Sequence, residues 1–170
     1  FTTDRYVTRT DWIEIGLWSP YYTYGVTRRW NVFTFLDDFP EYSNMYQIFR
    51  IIDAIGAQKT TDLFGDIPYS EAGQGDMEPH FDAQKEIYYT LFEELKDAVA
   101  KLRSNTKQTK FTDLQDIMYF GDEKKWIKLA NAERLRLALR ISFIDPVKAK
   151  TEGELALADI SFESNADNAS

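Results

Sequence analysis

Residues 82–103 read DAQKEIYYTLFEELKDAVAKLR, and this stretch decides the fold class. Ile87, Tyr88, Leu91, Phe92, Leu95, Ala98, Val99 and Leu102 recur at intervals that gather them on one face of an α-helix. Lys85, Glu86, Tyr89, Glu93, Lys96, Asp97 and Lys101 fill the other face. A helix apolar on one side and charged on the other must bury the first against a neighbour. Asp82 stands where an N-cap side chain is expected.

Toward the N-terminus, residues 65–81 contain Gly65, Pro68, Gly73, Gly75 and Pro79 and read as a loop. A connection of about seventeen residues is long for a compact domain and commonly carries function or an interface. Residues 41–63 read as a helix covered on more than one side, with Tyr42, Met45, Phe49 and Ile52 on one stripe and Ile48 and Ile55 beside it. Gly65 suits its stop, and Pro68 forbids its continuation. Residues 1–39 lack clean periodicity; short helical pieces are expected near 11–18 and 28–38, punctuated by Pro20 and Gly25.

Toward the C-terminus, 104–121 reads as a second long connection. A helix over 123–143, capped by Asp122, puts Trp126, Ile127, Leu129, Ala130, Leu137, Ala138 and Ile141 into a core. Glu133, Arg136 and Arg140 share its polar stripe. Asp145-Pro146 begins a further helix, proline being favoured at the first helical position, with Val147, Ala149, Leu155 and Leu157 along it. The pattern predicts one all-α domain over 1–170, built of helical hairpins with long irregular loops. No 34-residue self-similarity is visible, so the hairpin reading rests on helix number and spacing.

Composition narrows the function. The 170 residues carry 20 Lys and Arg against 28 Asp and Glu, a formal charge of −8. Phosphate binding needs a positive field, so nucleic acid is not an expected partner. No run approaches the ~18 apolar residues of a membrane span. The absence of cysteine removes disulfides and thiolate chemistry. The chain opens at Phe1, and its tail Glu163–Ser170 stops in polar loop composition, so it reads as a piece of a longer protein.

No constellation points to catalysis, metal or a cofactor. The one histidine, His80, sits beside Pro79 in a loop and reads as a surface residue. No second His or Cys completes a metal site, and no glycine-rich phosphate cradle occurs. Of the carboxylates that could pair for glycoside hydrolysis, Glu93-Glu94 reads as a solvated helix face and Asp37-Asp38 as a capping cluster; Asp66 and Asp76 lie in the loop. The Asn/Asp tail lacks the glycine and closing Glu of a calcium loop.

The feature with binding potential is an aromatic cluster: Trp12, Trp18, Tyr21, Tyr22, Tyr24 and Trp30. Fourteen of the 26 aromatic residues fall in the first 50 positions, so the excess is local. Flat rings with a polar handle suit stacking on sugar rings as well as core packing. Tyr21, Tyr22 and Tyr24, clustered in a loop between Pro20 and Gly25, are expected to be the exposed members. Trp18, Tyr21, Tyr22, Tyr24 and Trp30 are therefore the candidate ligand contacts.

Three phrases occur in order: LFGDIPYSEA over 63–72, PHFDAQKEIY over 79–88, and GDEKKWIKLAN over 121–131 running on to LRLALRI at 135–141. Together they resemble the SusD/RagB family of surface glycan-binding lipoproteins of Bacteroidetes. The resemblance spans about residues 40–150 and implies tetratricopeptide-like helical hairpins, with this chain as the N-terminal part of a longer protein. It also implies a lipid anchor upstream of Phe1 on the outer face of the outer membrane, an oligosaccharide ligand, and a TonB-dependent (SusC-like) transporter as partner. The phrases carry over as structure: a turn at Gly65 and Pro68, a cap at Asp82, and helix ties at Asn131 and Arg136. Glu133 departs from the pattern by putting charge where the family keeps an apolar residue. A helical-repeat scaffold without its own sugar site is the alternative.

Overall fold

The computed structural model describes residues 14–76, 78–158 and 167. Trp12 and most of the acidic tail lie outside these. The backbone is helical from 14 to 38: two π-helical stretches, Glu14–Trp18 and Tyr21–Val26, lead into α1, Thr27–Asp38. A 3-10 turn at Pro40–Tyr42 precedes α2, Ser43–Phe64. Then come α3, Gln84–Ser104, α4, Glu123–Arg140, and α5, Pro146–Leu157. Among the described residues the one β-type pairing is an isolated antiparallel bridge between Ile67 and Asp82. The fold is all-α with tetratricopeptide-like helix pairs, α2 packing on α3, α3 on α4, and α4 on α5.

The expected loop around the tyrosines is instead helical. Pro20 keeps helical angles, φ −59° and ψ −41°, between the two π-helical stretches. Such widened turns are where a helix accommodates a proline ring and a missing N–H. Helix α1 therefore reaches back past Pro20.

Side chains that a hydropathy reading discounts fill the buried face of α2. Asn44, Gln47, Gln58, Thr60 and Thr61 are buried alongside Ile48, Ile51, Ala54 and Ala57, while Ile52 is 45% exposed. The expected stripe through Ile52 is thus wrong by part of a turn, because polar positions carry half of the true one. Helix α3 buries Ile87, Tyr88, Leu91, Phe92, Leu95, Ala98, Val99 and Leu102, the face read from its spacing. Asp82 does not cap it: the first helical N–H, of Gln84, donates to Asp66 Oδ1 at 3.0 Å. Asp122 and Asp145 do cap α4 and α5, accepting from the Lys124 and Lys148 amides at 3.0 Å each. Positions 37 and 38 end α1, and the residue at the N-cap position of α2 is Tyr42, which makes no side-chain capping bond.

The tie between α4 and α5 is Arg134. Its guanidinium donates to Glu152 at 3.0 Å and to Asn131 at 3.1 Å, all three being buried. Arg136, expected in that role, bonds Glu133 on its own helix, at 2.9 Å, and no other helix among the described residues. Glu133 is 2% exposed and its Oε1 has no hydrogen-bond partner among the described residues. Burial pushes its carboxyl above the ordinary 4.5, with Arg136 opposing. A raised carboxyl pKa means that the ionised form costs stability at neutral pH, a cost that vanishes below about pH 4.5, where folded and unfolded states are both protonated. Glu133→Leu is therefore expected to raise stability at pH 7 by roughly 1–2 kcal/mol. The gain should shrink as pH falls; urea melts at several pH values measure it, and a gain constant with pH contradicts the account.

Candidate functional site

The loop from Gly65 to Ala83 is fastened down by groups from three helices. Ile67 and Asp82 exchange backbone hydrogen bonds of 3.3 and 3.0 Å, closing the loop's base. The Asp82 carboxylate then accepts from the Tyr69 and Ser70 amides at 2.9 and 2.8 Å and from Ser70 Oγ at 2.8 Å. Partial burial works to raise its pKa, yet these bonds from Ser70 and Tyr69 hold it below the ordinary range. From α1, Arg29 donates to the carbonyls of Tyr69 at 2.7 Å and Ala72 at 3.3 Å, and Trp30 Nε1 donates to Ala72 at 3.0 Å. From the turn before α1, the Tyr22 hydroxyl donates to the Pro68 carbonyl at 2.8 Å.

Beneath the loop lies a buried charged knot. Arg29 pairs with Asp53 of α2 at 3.1 Å, and its guanidinium stacks 5.0 Å from the Tyr69 ring centre. Burial pushes the Asp53 carboxyl up, Arg29 opposing. The Tyr69 hydroxyl donates to Glu94 of α3 at 2.6 Å, and burial likewise raises Glu94 against that bond. Glu94 is thus turned inward, contrary to its reading as a solvated neighbour of Glu93. Glu93 is exposed and pairs with Lys96 at 2.9 Å.

A cleft of about 340 Å³ opens beside the knot. Arg29, Trp30, Tyr46, Tyr69, Glu86 and Glu94 are among its lining residues. Ring faces beside donors and acceptors suit a ligand with apolar faces and many hydroxyls. The carboxylates considered for hydrolysis are otherwise engaged: Asp66 caps α3, Asp76 accepts from the Glu78 amide at 3.0 Å, and Glu94 holds Tyr69. His80 is exposed. Among the described residues no three His, Asp or Glu come together to hold a metal ion.

The five expected contacts separate. Tyr21 is 6% exposed, its ring seated over Gly56 of α2, where an added Cβ would lie 3.0 Å from it; the expectation of exposure fails for this residue. Trp18 is half-buried, packing 4.6 Å from Tyr22 and 4.9 Å from Phe64 by ring centres. Tyr22 and Trp30 spend their polar handles on the loop, and Trp30 also lines the cleft. Tyr24 alone of the five is well exposed, at 60%, with Arg28 5.5 Å above its ring.

A family model described as SusD-like, Susd and RagB outer membrane lipoprotein, matches residues 2–170. The chain belongs to the SusD-like family. Solved structures agree. A chitin-binding protein is 34% identical with a TM-score of 0.85, covering 96% of this chain and 35% of its own. A chitin-binding SusD homolog from Flavobacterium johnsoniae is 32% identical, TM-score 0.78, with 88% and 32% covered. A SusD homolog from Parabacteroides distasonis is 25% identical, TM-score 0.86, with 96% and 32% covered. This chain therefore spans about a third of the length of the structures it matches. No curated protein sequence matches significantly. Among the described residues no helix is long and apolar enough to cross a membrane.

Two of the phrases that carried the SusD-like resemblance meet at this loop: Gly65–Ala72 forms it, and Asp82 of the second knots it. Sequence reasoning missed Arg29, Tyr46, Tyr69 and Glu94. Tyr69 lies inside a quoted phrase, which was its one visible signal. Arg29 is 24 residues from Asp53 and 40 from Tyr69, separations that no local pattern reports.

Proposed function

We propose that this SusD-like chain is part of a lipid-anchored protein on the outer face of the outer membrane that captures an oligosaccharide and hands it to a TonB-dependent transporter. The observation that carries the reading is the similarity to two chitin-binding proteins at 34% and 32% identity. The family's description as outer membrane lipoproteins supports the location. Trp30 at the cleft and Tyr24 on the outer surface, with Trp18 partly accessible, are the aromatic faces this region offers a sugar. Tyr21 and Tyr22 act behind them as packing and as a loop fastener.

Calorimetric titration of the complete protein with chitooligosaccharides and a panel of other oligosaccharides should give saturable binding to at least one. Tyr24→Ala, which removes no internal contact of the core, should weaken it about fivefold, the scale of one stacked ring. Binding to no oligosaccharide overturns the reading, and an unchanged affinity removes Tyr24 from the site. Affinity purification from outer membranes should recover a TonB-dependent transporter; recovery of none overturns the delivery step.

A helical scaffold for protein partners is the second reading. It is favoured by an apolar surface at the α4–α5 corner, where Phe143 is 100% exposed, Ile144 82% and Val147 77%. Such surfaces mark places where helical arrays meet another chain or another repeat.

A further inference from the structure

Seven of the 20 Lys and Arg residues fall within 101–128, against four of the 28 acidic residues. This segment is net positive inside a chain of net charge −8. The end of α3, the connection that follows and the start of α4 fold it around one groove of about 500 Å³. Arg103, Lys110, Lys124 and Lys128 line the groove, buried Leu102 lies at its floor, and Ile127 is partly exposed in it. Among the described residues, the two acids that line it are engaged within the protein. Asp122 accepts from the Lys124 amide at 3.0 Å, and buried Glu123 accepts from Asn44 at 2.8 Å and pairs with Lys110 at 2.6 Å. Lys128 pairs with Asp167 at 2.9 Å. Lys124 makes no ion pair among the described residues and stands on the first turn of α4, where the helix dipole adds positive potential.

We propose that this groove binds the anionic group, sulfate or carboxylate, of an acidic saccharide. The volume is that of a small-ligand site, and an anion seated in it meets Lys124 together with the cations that line the same groove. Charges are screened beyond ~8 Å at physiological salt. A single anionic sugar therefore meets mainly the local cations, whereas an anionic bilayer would also face the acidic remainder of the chain. The partly exposed side chain of Ile127 gives the sugar ring an apolar contact, which inorganic sulfate cannot use.

The inference rests on the glycan-capture reading, and one experiment separates them. The complete protein is titrated with a sulfated oligosaccharide, a uronate oligosaccharide, a neutral oligosaccharide panel, inorganic sulfate and phosphatidylglycerol vesicles. The expected result is binding of at least one acidic oligosaccharide, weakened by salt and falling about tenfold in Arg103→Gln/Lys124→Gln, as loss of charge-assisted contacts requires. Affinity for any neutral oligosaccharide that binds should be unchanged in the same variant. Lys124→Gln alone, a substitution of one exposed side chain, serves if the double variant melts early, and should lower acidic-oligosaccharide affinity in the same direction. Acidic binding that is absent or indifferent to both variants overturns the inference, and leaves glycan capture standing if a neutral oligosaccharide binds. Tighter binding to vesicles or to inorganic sulfate than to the acidic oligosaccharide also overturns it.

Discussion

Gly121→Ala is expected to lower stability by about 3–5 kcal/mol, combining strained backbone with overpacking. Gly121 has φ +77°, in the left-handed region that costs any residue with a Cβ, and Phe120 before it is already at φ +55°. A Cβ at Gly121 would also lie 2.1 Å from the carbonyl oxygen of Phe111. That atom is backbone, so no side-chain rotation relieves the clash. The turn cannot simply open, because the Gly121 amide donates to Asp116 Oδ2 at 3.0 Å and the Trp126 indole donates to the same oxygen at 2.7 Å. Asp116 further accepts from the Met118 and Tyr119 amides at 3.1 Å each. Moving Gly121 thus disturbs the seat of Trp126, which is 2% exposed and meets Tyr119 edge-on at 5.1 Å. At roughly 2–4 °C per kcal/mol for a domain of this size, the melting temperature should fall by roughly 6–20 °C. Gly75→Ala is the control: Gly75 has φ +94° but nothing within 4 Å of an added Cβ. It bears the backbone strain alone and should cost about 1–2 kcal/mol. Equal losses in the two variants would show that the contact with Phe111 carries no weight.

The same turn shows how much the sequence disclosed. The phrase beginning Gly121-Asp122 announced a structural motif, and Asp122 is the cap it was expected to be. Asp116, which organises the turn, went unread because its partners lie up to ten residues away in a segment without periodicity. The apolar buried face of helix α3 was legible from its spacing, while its cap and the inward turn of Glu94, which depend on Asp66 and Tyr69 in the preceding loop, were not. Helix α2 was legible in extent and not in orientation, because its buried face holds amides and hydroxyls. The π-helical entry to α1 was illegible: Pro20 and Gly25 ordinarily break helices, and the contacts that hold this segment, Tyr21 over Gly56 among them, are distant in sequence. The aromatic cluster stood out in composition, but composition could not separate rings that fasten the loop from rings that face water. That distinction depends on which carbonyl each polar handle finds, and those of Pro68 and Ala72 lie more than forty residues beyond Tyr22 and Trp30 in sequence.

Arg29→Met should be about as damaging, for an electrostatic reason. The substitution keeps much of the aliphatic volume and removes the charge that offsets Asp53. The Asp53 side chain is 7% exposed, so an unpaired carboxylate there costs roughly 3–5 kcal/mol. The variant also strips donors from the Tyr69 and Ala72 carbonyls, loosening the loop over the cleft. The two consequences have separate readouts. Burial already holds Asp53 above its ordinary 3.8 with Arg29 opposing; without Arg29 the rise is larger. A raised folded-state pKa means the penalty is present at neutral pH and disappears once pH is below the unfolded value, where neither state carries the charge. The variant's deficit should therefore be greatest near pH 7 and narrow toward about pH 4, as followed by urea melts. Asp53→Asn placed in the Arg29→Met background should recover part of the loss, the signature of an interacting pair. Recovery of stability by Asp53→Asn should leave the loop undone, so limited proteolysis between Ser70 and Gly75 should remain faster than in the parent protein. A deficit independent of pH and untouched by Asp53→Asn would mean that Arg29 acts through packing on Tyr69 and not through its charge.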